Sequence, residues 1–299
     1  MAMNRPRPIQ RRLFVVGCSR SGTTLAQRLL AGHSRVHTDP ETGVFLKMLG
    51  MRGHVLPWVH LGLTAGKERK ALASLLANAD GEARGIGLPP RRVLLRRSAA
   101  DVVAVLDELA RRAGTDIWLE KTPRHVYHAA RIQPLVPRSV CIHVVRNGED
   151  VVASIVDRAR RFPDRFKRQQ DPGYGIRQWN RSMAATEAAM RGRGQVVVRY
   201  EALASDPAGT LRALCSTLEL EFEEGMLNTP SDAFFVAEGE TWKSQVTAPV
   251  APAASKFTDL FDEATQAEIR RRLRRELYRE VERRTEGESR GVWMSDLGL

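Results

Sequence analysis

Residues 13–25, Leu-Phe-Val-Val-Gly-Cys-Ser-Arg-Ser-Gly-Thr-Thr-Leu, confine what this chain can become more than any other stretch. Leu13 to Val16 form an apolar run of strand length, Gly17 and Gly22 permit sharp turning, and Thr24 to Leu30 carry helix formers with apolar residues at helical spacing. A buried strand entering a helix through such a loop aims the first backbone N–H groups of the helix at one point, where the macrodipole also favours an anion. Arg20 and the hydroxyls of Ser21, Thr23 and Thr24 add donors suited to phosphate or sulfate oxygens, and Gly22 lets the backbone approach them. An ordinary strand-turn-helix with a serine or threonine cap could carry the same residues, so the loop alone does not decide.

A nucleoside triphosphatase loop, G-x-x-x-x-G-K-[ST], needs lysine where Thr23 stands, to reach the terminal phosphates. The basic group sits at Arg20 instead. Further strand patterns follow at Arg35–Thr38, Asp116–Glu120, Ser139–Val145 and Gln195–Tyr200, the third long and apolar enough for the middle of a parallel sheet. Helical patterns alternate with them. One is expected to open at Ser98–Asp101 and close at Gly114, and another to run unbroken from Glu263 to Arg284 along a seam of Ile269, Leu273, Leu277 and Val281. Asp39-Pro40-Glu41 reads as a loop entering a helix, with Glu41 near its N-terminus.

Alternating strands and helices predict an α/β fold of the P-loop, nucleotide kinase-like kind: a parallel sheet flanked by helices, with ligands at the carboxyl ends of the strands. A mostly helical insertion is expected at about 44–115. The whole of 1–299 is read as one domain, with a core at about 12–220 and a closing loop and C-terminal helix at about 221–299. Each polar motif stands just after a strand, which places them on one rim.

The formal net charge of +12 suits an anionic ligand, and equally nucleic acid or an acidic membrane surface. Arginine in helix-like runs is read as a solvated face, although the Arg158–Arg168 run lends support to a nucleic-acid-binding alternative. Cys18, Cys141 and Cys215 lack metal-type spacing and read as buried thiols in a reducing compartment. The apolar run after the basic N-terminus is broken at Gly17, too soon for a secretion signal or membrane span, so the expected location is cytoplasmic.

With the Arg20 loop, Lys121-Thr-Pro, the Arg146–Ser154 segment and Arg199-Tyr-Glu in this order, residues 12–260 resemble sulfotransferases that use 3′-phosphoadenosine 5′-phosphosulfate (PAPS). They look most similar to the tyrosylprotein sulfotransferase branch. That resemblance implies a 5′-phosphosulfate loop at Arg20, Ser21, Gly22, Thr23 and Thr24, and a 3′-phosphate pair at Arg146 and Ser154. It also implies nucleotide contacts from Tyr200, Ser244 and Lys256, a catalytic Lys121, and a base at Glu41. His125 is the rival base, since many small-molecule sulfotransferases place a histidine shortly after the corresponding lysine. The implied reaction moves a sulfuryl group from PAPS to a small-molecule, sugar or tyrosyl hydroxyl and releases 3′-phosphoadenosine 5′-phosphate (PAP). Because Arg20, Lys121 and Thr23 can neutralise the leaving oxygen, no metal is expected. The partners expected are a small-molecule or peptide acceptor, with neither nucleic acid nor membrane, and a homodimer is left open. A kinase-like phosphotransferase is the enzymatic alternative. A basic nucleic-acid-binding protein is the non-enzymatic one, weakened by an aromatic fraction of 6% and the lack of a recognition motif.

Overall fold

The Leu13–Val16 run has no polar face, so it needs cover on both sides, and it finds that cover in the middle of a six-stranded sheet. A computed structural model of the chain describes residues 8–50, 55–64, 66–79, 83–228, 255–286 and 290–296. In chain order, β1 (Arg11–Gly17) is followed by α1 (Thr23–Ala31), β2 (Val36–Thr38) and α2 (Val44–Leu49). A 3₁₀ turn at Pro57–Leu61, α3 (Glu68–Asn78) and α4 (Leu95–Arg112) then lead to β3 (Ile117–Lys121). A second 3₁₀ turn at Pro123–His128 and α5 (Ala129–Ile132) precede β4 (Ser139–Val145), α6 (Gly148–Arg161), α7 (Pro163–Phe166) and α8 (Pro172–Ala189). After β5 (Gln195–Arg199) come α9 (Tyr200–Ser205) and α10 (Pro207–Thr217). The remaining elements are α11 (Phe257–Leu260), α12 (Glu263–Arg272), α13 (Arg275–Arg284) and β6 (Val292–Met294).

The strand order is β2-β3-β1-β4-β5-β6, with every pair parallel except β5–β6. Parallel neighbours need crossovers, and these cover both faces. On one face α1 and α10 pack Leu29, Leu30, Leu211 and Leu214 against Leu13, Val15 and Ile142. On the other, α2, α3 and α4 pack Phe45, Leu72 and Leu106 against Phe14 and Trp118. A third cluster gathers α6, α8 and the C-terminal helices around Trp179. Register sets Val15 beside both Lys121 and Ile142, and Gly17 beside Val144, so the loops after β1, β3 and β4 leave the sheet at nearly one level.

The expected α/β sheet, its strands and the helical insertion are present. Three details differ. The helix expected to open at Ser98 starts three residues earlier, at Leu95. Ser98 and Asp101 bond side chains rather than cap a backbone: Ser98 Oγ donates to the buried Glu68 at 2.6 Å, and Asp101 accepts from Arg92 at 2.7 Å.

The tail helix is broken between α12 and α13, where Leu273 turns extended to bury its side chain beside Trp179 and Gly148. Burial of a leucine is worth roughly 1.5–3 kcal/mol, against roughly 0.5–1.5 kcal/mol for each backbone bond given up. Asn180 makes good two of those bonds, donating to Arg272 O and accepting from Arg274 N–H, both at 2.9 Å. The three-residue β6 has too short a pattern to read in sequence; it pairs along the edge of β5 after Gly291, whose φ is +81° and whose Cβ would collide with Ala202. Among the described residues no helix is long and apolar enough to cross a membrane.

Candidate active site

The loop between β1 and α1 folds tightly because its glycines allow what other residues would not. Gly17 (φ +152°) and Gly22 (φ +91°) lie in the region that favours glycine, and Arg20 itself has φ +75°. A Cβ on Gly17 would strike the carbonyl oxygen of Val144; one on Gly22 would strike the ring of Tyr200. The loop backbone therefore sits directly against the ends of β4 and β5. First-turn amides of a helix have no intrahelical partner, so those of α1 present donors here. Ser21 and Thr23 are buried and Thr24 is half-buried. Cys18 is no nucleophile: burial pushes its thiol up to about 12, beyond what hydrogen bonds to Ser182, Gln178 and Ser21 offset.

Around this loop the structure assembles three of the other expected residues, Ser154, Arg146 and Tyr200. Arg20 Nε donates to Ser154 Oγ at 3.0 Å, joining positions 134 residues apart. The Arg146 guanidinium lies 4.2 Å from the centre of the Tyr200 ring, with Asp150 3.8 Å away. Its backbone is pinned by Trp179, whose indole N–H donates to Arg146 O at 2.9 Å. The glutamate of Arg199-Tyr-Glu is a brace: Glu201 accepts from Asn147 N–H at 2.8 Å and from the Tyr278 hydroxyl at 2.6 Å, and Asn147 caps α6. Beside Arg146 and Tyr200 opens a cleft of about 620 Å³ that reaches Arg199 and Arg290.

The sequence reading gave Arg158 no part in the site; Arg161, exposed as a solvated helix face would have it, still adds its charge nearby. Arg158 is drawn inward, its guanidinium 4.3 Å from the centre of the Phe166 ring. Burial and the nearby Arg20 push its pKa down to about 10. Burial, then the charges of Arg161 and Arg146, push Arg20 down as well. The four guanidinium groups repel one another, a concentration of positive potential that an anion would relieve. Their positions at i and i+4 or i+7 from Ser154 on α6 were the available signal.

Lys256, expected to contact nucleotide, bonds Asp157 at 3.0 Å, one helical turn from Ser154; its neighbour Ser255 donates to Asp150 at 2.7 Å. Ser244 lies outside the described residues. Among the described residues no group of three or more histidine, cysteine or carboxylate side chains is placed to hold a metal ion.

At the end of β3 the arrangement is different. Lys121 Nζ, buried, donates to Glu41 Oε2 at 3.0 Å, while the Glu41 side chain stays 38% exposed and open to an incoming molecule. Glu41 stands three residues before α2, near its N-terminus as expected. His125 is fully buried, and its Nε2 accepts from Leu46 N–H at 3.1 Å, which places any single ring proton on Nδ1. Nδ1 faces Glu120 Oε2 at 2.8 Å, off the line of a good hydrogen bond.

Comparison with known proteins agrees with this geometry. Residues 12–224 match the model of the sulfotransferase family. Over 230 residues, 75% of this chain, it is 24% identical to the protein-tyrosine sulfotransferase of Drosophila melanogaster, covering 40% of that protein. Over 154 residues, half of this chain, it is 30% identical to an uncharacterised protein of Aquifex aeolicus, covering 17% of it. The chain thus spans well under half the length of either relative. Its fold superposes on the sulfotransferase domain of the Synechococcus PCC 7002 olefin synthase with a TM-score of 0.56 at 18% identity, covering 89% of this chain and 94% of that one. A family match over most of the chain, on the same segment that builds the cation-lined loop and the Glu41–Lys121 pair, makes this protein a member of the sulfotransferase family.

Proposed function

We propose that the chain, acting as one domain, transfers the sulfuryl group of PAPS to a small-molecule, sugar or tyrosyl hydroxyl by in-line displacement. The observation that carries this reading is the Arg20–Ser154 contact beside Arg146, which unites the two phosphate-type motifs in one basin of spare positive charge. The donor set suits a ligand with two separated phosphate groups. The loop amides and Arg20 take the 5′ end, and Arg146 and Ser154 take the 3′-phosphate, where a charge-assisted contact is worth about 1.5–3 kcal/mol. Tyr200 lines the same basin.

In the transfer step the acceptor oxygen attacks sulfur, its proton passes to Glu41, and the bond from sulfur to the bridging oxygen breaks to release PAP. Lys121 neutralises the charge that grows on that oxygen, with Arg20 and the loop amides sharing the sulfonate. Glu41 is favoured over His125 because its carboxylate reaches solvent, whereas His125 is fully buried, its Nε2 taken by Leu46 N–H and its Nδ1 turned to Glu120. Thr23, buried beside Gly17 where a nucleoside triphosphatase loop carries lysine, speaks against phosphotransfer, and the inward turn of Arg158 against a surface for nucleic acid. A panel of hydroxyl acceptors with labelled PAPS, read by mass gain, tests the reading; sulfuryl transfer to one acceptor class supports it. Phosphoryl transfer from ATP with no sulfuryl transfer to any of them would sink it.

A further inference from the structure

The segment that carries Glu41 is clipped to the end of β3 on both faces of the strand. Side chains alternate along a strand, and register with Phe14 and Val15 puts Glu120 on the α2 and α4 side and Lys121 on the α1 side. Glu41 meets Lys121, and the next residues cross over the strand end to Glu120. Thr42 Oγ1 donates to Glu120 Oε1 at 2.9 Å, and Thr122 Oγ1 donates to the same oxygen at 2.6 Å. The two hydroxyls in turn hold the backbone: Gly43 N–H donates to Thr122 Oγ1 and Val44 N–H to Thr42 Oγ1, both at 3.1 Å. Between them Gly43 takes φ +59°, so the crossing has a shape that the chain does not adopt by default.

Glu120 is 4% exposed, and an ionised carboxylate so placed costs several kcal/mol unless its oxygens are satisfied. Burial opposes its ionisation, but His125, Thr122 and Thr42 together outweigh burial and hold the carboxyl below the usual range. Apolar side chains would stabilise this corner as well or better. What they would not supply is a fixed point for two hydroxyls.

We infer that Glu120 is a positioning residue: through the hydroxyls of Thr42 and Thr122 its buried carboxylate sets the placement of residues 39–43, and so presents Glu41 to Lys121 and to the acceptor. The inference rests on the reading of Glu41 as the base. Glu120 touches neither Glu41 nor the acceptor; it acts through the loop.

The test combines PAP release from PAPS in water, amide exchange at Gly43 and Val44, PAP affinity and melting temperature in Glu120→Gln, Thr42→Val and Thr42→Ser. Thr42→Val, which keeps the shape of the side chain, covers the case in which Glu120→Gln does not fold. Thr42→Val is expected to lower PAP release about tenfold and raise exchange at both amides with PAP affinity unchanged, while Thr42→Ser restores both. On a Glu41→Gln background, Thr42→Val should cost nothing further, because its effect runs through Glu41. Unchanged exchange, or the same loss with and without Glu41, overturns the inference. If Glu41→Gln abolishes release and Thr42→Val does not slow it, the inference fails alone; if Glu41→Gln releases PAP at the full rate, the base fails and the positioning role falls with it.

Discussion

The two halves of the site are built on opposite electrostatic plans. Around the β1–α1 loop, Arg20, Arg146, Arg158 and Arg161 crowd together, and the nearby Asp157 is already held by Lys256 and Arg161. At the end of β3 each charge meets a partner of the chain itself: Lys121 meets Glu41, and Glu120 meets two hydroxyls and an imidazole. A region with surplus charge is completed by its ligand, so its side chains are expected to govern affinity. A region closed on itself gains little from ligand charge, and its side chains are expected to govern rate.

That division can be broken at several points. The largest effect is expected from Glu41→Gln, which keeps shape but cannot take a proton. Turnover in sulfuryl transfer should fall about 10²–10⁴-fold while PAP affinity, measured by calorimetry, barely moves. Lys121→Ala should lower turnover about 10²–10³-fold and PAP affinity much less, since a cation aimed at the bridging oxygen acts most as that oxygen gains charge. Affinity lost with turnover spared would move Lys121 to the binding half. Arg146→Ala should show the reverse pattern, weakening PAP binding about 10–100-fold and adenosine 5′-phosphate binding hardly at all. Equal losses for the two ligands would place Arg146 away from the 3′-phosphate. The smallest effect is expected from Tyr200→Leu, which removes the ring beneath Arg146, a contact of about 0.5–1 kcal/mol; PAP affinity should fall a few-fold with turnover intact.

The half expected to govern affinity was the more legible in sequence. A strand, two glycines and a helix must turn as they do for steric reasons, and Arg146 and Ser154 stood out because they match the family's second nucleotide motif after a strand end. Arg158 was missed because its one signal, the i+4 spacing from Ser154, does not show that tertiary packing will bring Phe166 and Arg20 to it. The β3 half was only partly legible. Glu41 and Lys121 were singled out, yet the Glu120 clip joins residues 78 and 79 positions apart through hydroxyls that no periodicity marks. His125 was the rival base in sequence, and its burial between Phe14, Phe45 and Glu120 closes it to an acceptor. The broken tail helix followed from Asn180 on another element, which no reading of residues 263–284 could reveal.

The central claim is that two motifs 134 residues apart form one basin for two phosphate groups. Calorimetric titration of the unaltered protein with PAP and with adenosine 5′-phosphate tests it most directly. The account expects PAP to bind about 10–100-fold more tightly, the share of a charge-assisted 3′-phosphate contact. Equal affinity for the two nucleotides would contradict it.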